Sequence, residues 1–185
     1  MIFLVRVLLV LVLLGAIAQF ASKAAASSAE PAASLRMESP SFQPNAAIPT
    51  RFSCDGQNIS PALQWQSPPR GTRGLALILR DPDAPSGVFI HWLIYNLPPT
   101  LRGLPEGAVK QPELPDGSRQ GRNSARSIGY TGPCPPPGSV HRYIFTLYAL
   151  DAQISLPAGA SEPELVKAMQ GHVLATGQLM GRFQH

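Results

Sequence analysis

Proline recurs along this chain from Pro31 to Pro163, and its distribution restricts the folds that the 185 residues can adopt. The chain contains 20 prolines and 16 glycines. A proline inside a helix removes a backbone hydrogen bond and clashes with the preceding turn, which excludes long coiled coils and helical repeat arrays. No Gly-X-Y period is present, which excludes collagen. Because 44% of the residues are hydrophobic and the formal net charge is only +4, we expect one compact domain of strands and loops.

The N-terminal segment is typical of an export signal. Arg6 precedes an apolar stretch at residues 7–18, and small residues follow it. We predict a signal peptide at residues 1–26, a flexible tether at residues 27–34 and a folded domain at residues 35–185. An uncleaved membrane anchor is the alternative, although the apolar stretch is shorter than the roughly 20 residues that span a bilayer. We therefore expect a periplasmic or secreted protein.

The basic composition says little about partners. Removal of residues 1–26 would take away Arg6 and Lys23, so the formal net charge would fall from +4 to 4 − 2 = +2. No clustered basic run remains, and a nucleic-acid partner is therefore not expected.

The two cysteines, Cys54 and Cys134, lie 80 positions apart. Two cysteines in an exported protein usually pair, and closing a loop of this length contributes about 4 kcal/mol in the chain-entropy model. Two buried free thiols are the alternative. A metal site is not indicated, because neither cysteine belongs to a CxxC pair. We predict a disulfide.

Apolar runs between the proline-rich loops predict strands, and one later segment predicts a helix. The predicted strands lie at residues 35–37, 63–65, 74–79, 88–95 and 142–150. Ser161 and Glu164 have the spacing of a capping box. Beyond them, mostly apolar side chains recur at helical spacing up to Val173. We therefore expect a mostly β fold with a helix towards its C-terminal end.

Polar side chains concentrate in two segments, of which the first is the Asp-Pro-Asp-Ala-Pro run that starts at Asp81. In an extended segment Asp81 and Asp83 point to the same side. His91 follows in the next predicted strand, on the face that Phe89 and Leu93 share. A buried imidazole needs a partner for its N–H, and a carboxylate is a natural one. The alternative is that the aspartates are turn residues and His91 is a core histidine.

The second segment is the run Gly-Tyr-Thr-Gly-Pro-Cys-Pro-Pro-Pro-Gly at residues 129–138. Its glycines allow the backbone to approach a ligand closely. His141 and Tyr143 follow at the start of a predicted strand and face the same side. Arg142 faces the other side, where an ion pair or a loop anchor is expected. A well-packed turn is the alternative, but the concentration of Asp, His and Tyr at loop–strand junctions favours a binding site.

These motifs resemble the phosphatidylethanolamine-binding protein family, and in particular its bacterial branch of Raf kinase inhibitor-like proteins. The resemblance extends from about Ser41 to Phe183. The residues that carry it are Cys54-Asp55-Gly56-Gln57-Asn58-Ile59-Ser60-Pro61, the DPDAP run followed by His91-Trp92, Gly121-Arg122-Asn123, and GYTGPCPPPG before His141-Arg142-Tyr143.

The resemblance implies a β-sandwich of two antiparallel sheets with short peripheral helices and a C-terminal helix. It also implies a small preformed pocket for phosphate-like anions or phosphorylated headgroups, and it makes the Ala84–Pro85 bond a candidate for the cis form. The ligand-binding positions that it implies are Asp81, Asp83, Pro85, His91, Tyr130, Gly132, Pro133, His141 and Tyr143. Since two aspartates repel an anion, we expect donors from the two histidines, the Tyr143 hydroxyl and backbone N–H groups near Gly132.

We expect a non-catalytic binding protein with no cofactor and no metal. Its expected partner is a small phosphate-like anion or a phospholipid headgroup, with no stable membrane span after signal cleavage. One alternative is an inhibitor that docks on a protease or another protein through rigid loops. Another is a metal-assisted hydrolase with two aspartates and two histidines as zinc ligands. No GxSxG or HExxH motif supports catalysis.

Overall fold

The computed structural model describes residues 33–185, so the predicted signal peptide and most of the predicted tether lie outside the described residues. The strands are β1 (Ala33–Ser34), β2 (Met37–Glu38), β3 (Leu63–Trp65), β4 (Gly74–Asp81), β5 (Phe89–Leu97), β6 (Gly103–Leu104), β7 (Arg119–Gln120), β8 (Val140–Leu150) and β9 (Val173–Gln184). Helix α1 (Glu162–Met169) lies between β8 and β9, and a short 3-10 turn spans Thr50–Phe52. Within this part of the chain no helix is both long and apolar enough to cross a membrane.

The strands form two sheets. The larger has the order β1-β9-β8-β4-β5-β7, and the smaller has the order β2-β3-β6. Neighbouring strands run antiparallel, except that β1 is parallel to β9. This confirms the predicted fold of two antiparallel sheets with peripheral helical elements.

Apolar side chains cover both faces of the larger sheet. The alternate residues of β8 that face the smaller sheet are Tyr143, Phe145, Leu147 and Ala149, and they share one cluster with Leu63 and Trp65 of β3. The opposite face packs against α1 through Leu165 and Met169. Because β4 lies between β8 and β5 and is buried on both faces, it reads in the sequence as a continuous apolar run.

Helix α1 begins as predicted and ends earlier than predicted. The Ser161 N–H and hydroxyl both donate to the Glu164 carboxylate, at 2.8 and 2.6 Å. The helix stops at Met169, and Gly171 takes a φ of 80°, which turns the chain into β9. Strand β9 then pairs with β8 along nearly its whole length. Strand β9 is not among the strands predicted from the sequence.

Two further expectations differ from the structure. Ser34, which was predicted to lie in the tether, pairs with Thr176 as part of β1. The Leu35 N–H then donates to the Thr176 carbonyl at 2.7 Å. No cis peptide bond occurs among residues 33–185, so the Ala84–Pro85 bond is trans. A tight turn accounts for this, since the Gly87 N–H donates to the Ala84 carbonyl at 3.0 Å and a trans proline suits the second turn position.

Cys54 and Cys134 form the predicted disulfide, with their Cα atoms 5.5 Å apart. The bond joins the segment before β3 to the loop before β8. Three hydrogen bonds tie the same two segments together: Tyr130 hydroxyl to Phe52 carbonyl at 2.8 Å, Gly132 N–H to Asn58 Oδ1 at 2.7 Å, and Cys54 N–H to Pro133 carbonyl at 3.0 Å. The attachment of this loop therefore does not depend on the disulfide alone.

Replacing both cysteines, as Cys54→Ser with Cys134→Ser, is expected to lower the free energy of unfolding by about 4 kcal/mol, because the unfolded chain regains the freedom of a long loop. The variant is expected to stay folded, since the three hydrogen bonds remain. Urea unfolding of both proteins measures the difference, and reduced wild type is the matched control. A loss below about 1 kcal/mol would contradict this assignment of the bond's role.

Candidate functional site

A cleft of about 330 Å³ opens at one end of the larger sheet, where β4 ends and where β5 and β8 begin. Of the nine predicted site residues, those that line it are Asp81, Pro85, His91, Gly132 and His141. The remaining lining residues are Ala84, Ser86, Phe89, Thr131 and residues 134–136. A larger cleft of about 620 Å³ lies over the smaller sheet, but its charged residues (Arg36, Glu38 and Arg102) are exposed and it contains no buried titratable group. The smaller cleft, in contrast, is lined by three buried titratable side chains, those of Asp81, His91 and His141.

A β-bulge turns His91 into this cleft. In the pairing of β4 with β5, Leu79 lies opposite Trp92 and Arg80 lies opposite Ile90. His91 is thus the extra residue, and a bulge redirects the side chain that it carries. The imidazole lies 4.7 Å from the Phe89 ring and 5.2 Å from the Tyr143 ring, centroid to centroid. Leu93 packs on the opposite face of the sheet under α1, so the predicted shared face of His91 and Leu93 is wrong.

The His91 ring is held through Nδ1, which lies 2.7 Å from the carbonyl oxygen of Thr131. A carbonyl oxygen only accepts, so Nδ1 carries the hydrogen. The backbone adds a second tie, because the Thr131 N–H donates to the His91 carbonyl at 2.9 Å. Burial lowers the pKa of His91 below its ordinary value, since a charged ring loses hydration there. The neutral ring then keeps a lone pair on Nε2.

His141 is held by Asp81 in a similar way. Its Nδ1 lies 2.7 Å from Asp81 Oδ2, and both side chains are more than nine-tenths buried. The other carboxylate oxygen of Asp81 accepts the Asp83 N–H at 2.8 Å. Both oxygens of Asp81 are thus engaged, and a proton on His141 Nε2 would create an ion pair between His141 and Asp81.

The Nε2 atoms of the two imidazoles are open to the cleft. Neither has a hydrogen-bond partner among residues 33–185. Neither is sealed from solvent, because Tyr143 Oη is the one side-chain nitrogen or oxygen of the described residues that is both buried and unpartnered. Two ring nitrogens therefore offer hydrogen-bonding positions to a ligand.

Tyr143 lies behind the cleft and does not line it. Its side chain is fully buried against the His91 ring. Burial and the nearby Asp81 carboxylate raise the pKa of Tyr143 above its ordinary value. The hydroxyl expected to donate to a ligand is instead enclosed by the protein.

Asp83 also differs from its expected position. Its own N–H bonds to the Asp81 side chain, a local turn that directs the Asp83 carboxylate outward. There it accepts three hydrogen bonds from Arg142: from the backbone N–H and from Nε at 2.9 Å each, and from Nη2 at 2.7 Å. The ion pair expected of Arg142 is present, and it lowers the pKa of Asp83 to about 2.

The loop residues expected at the site lie at or behind its wall. Tyr130 is buried in the core, where burial raises its pKa, and Pro133 is buried as well. Gly132 lines the cleft, but its N–H is donated to Asn58. The expected backbone donor at Gly132 is therefore not free for an anion.

Asn123, the last residue of the motif Gly121-Arg122-Asn123, is a positioning residue that is not among the predicted site residues. Its buried amide donates to the Gly129 carbonyl at 3.0 Å and to Thr131 Oγ1 at 2.9 Å. Its Oδ1 accepts the Ser127 N–H at 3.0 Å. Asn123 thereby fixes the loop whose Thr131 carbonyl orients His91.

The geometry does not favour the zinc-ligand set of the hydrolase alternative. The Asp83 carboxylate is bound by Arg142, and both oxygens of the Asp81 carboxylate already accept hydrogen bonds, so neither aspartate is free to complete the set. Within residues 33–185 the one cluster with the spacing of metal ligands is Cys54, Asp55 and His185, and Cys54 belongs to the disulfide.

Arg142→Gln is expected to raise the pKa of Asp83 from about 2 towards the ordinary value of about 3.9, because the guanidinium no longer stabilises the carboxylate. Carbon-13 NMR titration of the Asp83 carboxyl measures the shift. Since the folded-state value is depressed, the associated stability is present above about pH 4 and is lost as pH falls through 2. Arg122→Gln, at an exposed arginine, is the control, and an Asp83 titration unchanged in Arg142→Gln would contradict the assignment.

Gly132→Ala is expected to destabilise the fold by about 1–3 kcal/mol, since an added Cβ would lie 2.3 Å from the Phe52 carbonyl oxygen. Thermal unfolding measures the loss. Pro136→Ala, an exposed change in the same loop, serves as the control. Equal melting temperatures for Gly132→Ala and the wild type would show that the two backbone segments are not in close contact.

Comparison with known proteins identifies the family of this chain. The family model described as phosphatidylethanolamine-binding protein matches residues 38–184. A UPF0098 protein of Methanothermobacter thermautotrophicus is 48% identical over 150 residues, which cover 81% of this chain and 99% of the relative. A UPF0098 protein of Aquifex aeolicus is 41% identical over 152 residues, covering 81% and 88%.

Two solved structures are similar along nearly their whole length. A putative phosphatidylethanolamine-binding protein homologue, CT736 of Chlamydia trachomatis, has a TM-score of 0.75 at 40% identity, covering 82% of this chain and 98% of that one. YbcL of E. coli, described as a member of the mammalian PEBP family, has a TM-score of 0.76 at 30% identity with the same coverage. The chain belongs to the phosphatidylethanolamine-binding protein family.

Proposed function

We propose that this chain is an exported, non-catalytic binding protein whose cleft takes phosphate-like anions or phosphorylated headgroups. The observation that supports this most is the pair of open Nε2 atoms of His91 and His141, each held by a bond at Nδ1. The cleft of about 330 Å³ is at the small end of the usual range for ligand pockets, which suits a headgroup better than an acyl chain. The name of the family points to the same class of ligand.

The charge balance of the cleft makes anion binding dependent on protons. Asp81 contributes one negative charge, and Asp83 is paired with Arg142. With both rings neutral the site is net negative, and its Nε2 atoms only accept hydrogen bonds. One proton on an imidazole neutralises the site and creates a charge-assisted donor. Binding of an anion is therefore coupled to uptake of a proton.

The disulfide supports export. Structural disulfides persist in oxidising compartments and are rare in the cytosol. Together with the predicted signal peptide, the Cys54–Cys134 bond supports a periplasmic or secreted location.

The site also favours binding over catalysis. His141 beside Asp81 has the arrangement of a general base, but an acyl-transfer reaction also needs donors for the developing oxyanion. The Gly132 N–H, which lies in the wall of the cleft, is already donated to Asn58. We therefore assign no reaction to the cleft.

Affinity for methyl phosphate is expected to weaken at least about tenfold from pH 6 to pH 8.5, because coupling to one proton changes affinity by up to about tenfold per pH unit. Isothermal titration calorimetry across this range measures it. His172→Asn is the matched control, since His172 is exposed and bonds to Asp151 away from the cleft. Affinity that is unchanged or tighter at pH 8.5 would contradict the proposed function.

A further inference from the structure

The two imidazoles of the cleft have different partners at Nδ1. His141 bonds to a carboxylate, Asp81, whereas His91 bonds to a neutral carbonyl, that of Thr131. A proton on His141 therefore gains an ion-pair partner in direct contact. A proton on His91 gains none, so the two rings are suited to different roles.

The surroundings of His91 support its neutral form. Phe89 of β5 and Tyr143 of β8 lie against the ring and help to bury it, which favours the neutral form. The backbone carbonyls of Thr131 and Gly132 favour the charged form, but burial has the larger effect. The charged or titratable groups near it are Asp81 of β4 and His141 of β8, together with the Tyr143 hydroxyl. Asp81 favours a charge on His91 and a protonated His141 opposes it. Once His141 is protonated, the charge of Asp81 is compensated, and burial then lowers the pKa of His91.

The open ring nitrogens then have opposite hydrogen-bonding characters. Protonated His141 presents an N–H donor at Nε2, and neutral His91 presents a lone pair at Nε2. A ligand that contacts both must supply an anionic oxygen to His141 and a hydrogen to His91.

We propose that the cleft selects oxyanions that carry their own hydrogen, with His141 Nε2–H donating to an anionic oxygen and His91 Nε2 accepting the P–OH hydrogen. The inference rests on the proposed function and specifies its ligand as the monoanion of a phosphomonoester or of free phosphate. Aprotic anions such as sulfate esters are discriminated against, because their oxygens face the His91 lone pair without a hydrogen between them. A site built to accept a ligand hydrogen rejects analogues that lack it, since its buried acceptor is left unpaired.

The test compares two ligands of the same shape and charge. At pH 5.5 most methyl phosphate is a monoanion with one P–OH, because its second pKa is about 6. Methyl sulfate is a monoanion of nearly the same size without that hydrogen. We expect wild-type protein to bind methyl phosphate at least about tenfold more tightly than methyl sulfate, as measured by calorimetry. Dimethyl phosphate, a second aprotic monoanion, is expected to follow methyl sulfate.

Two asparagine variants separate the two roles, since the amide nitrogen of asparagine can replace Nδ1 but nothing replaces Nε2. His91→Asn keeps the hydrogen bond to Thr131. In this variant the affinity for methyl phosphate divided by that for methyl sulfate is expected to fall towards one. His141→Asn keeps the hydrogen bond to Asp81. It is expected to lower the affinity for both ligands by about tenfold to a hundredfold, because the donor at Nε2 is lost. His172→Asn, outside the cleft, is expected to retain the wild-type ratio.

The possible results are distinguishable. Binding of neither ligand by wild-type protein overturns the proposed function and the selectivity with it. Equal binding of methyl phosphate and methyl sulfate by wild-type protein leaves anion binding intact and overturns the selectivity. A preference for methyl phosphate that persists in folded His91→Asn shows that another group accepts the hydrogen, which overturns the role of His91. The first two results need only wild-type protein, so the selectivity is tested even if a variant fails to fold.

Discussion

The buried contact between Asp81 and His141 determines the arrangement of the site. It joins Asp81, the last residue of β4, to His141, the second residue of β8, and these two strands are adjacent in the larger sheet. A carboxylate buried to this extent would be strongly unfavourable without partners, and here both oxygens are bonded. The bond also fixes which nitrogen of His141 faces the cleft. Its geometry thus links the end of the sheet to the hydrogen bonds that the cleft can offer a ligand.

The opposite wall is held in place by several independent ties. Asn123 fixes the loop that carries Thr131, and the Thr131 carbonyl in turn orients His91. The Cys54–Cys134 disulfide and the Gly132 bond to Asn58 attach the rest of that loop to the segment before β3. Proline in both segments removes further freedom from the backbone. A cleft that is ordered before the ligand arrives loses little conformational entropy on binding, which favours capture of a small anion.

The fold could be predicted because its determinants are local patterns. Apolar runs gave the central strands, the capping box located the start of α1, and side-chain alternation placed His141 and Tyr143 on one face. The bulge at His91 could not be read in this way, because it depends on the register between β4 and β5 and not on the residues of β5 alone. The alternation that placed Asp83 beside Asp81 failed for a similar reason, since the Asp83 N–H bonds back to the Asp81 side chain and turns the carboxylate towards Arg142. Strand β9 was missed because its glycines and polar residues obscure an alternation that only pairing with β8 makes evident.

The central claim is that each cleft imidazole carries its hydrogen on Nδ1 and leaves Nε2 for the ligand. Nitrogen-15 NMR of labelled histidine side chains, recorded near pH 8 without ligand and near pH 6 with and without phosphate, tests it most directly. The account predicts that near pH 8 both rings show a protonated Nδ1 and an unprotonated Nε2, and that near pH 6 phosphate shifts the Nε2 resonances of His91 and His141. A hydrogen on Nε2 of neutral His91, or Nε2 resonances of both rings that phosphate leaves unchanged, would contradict it.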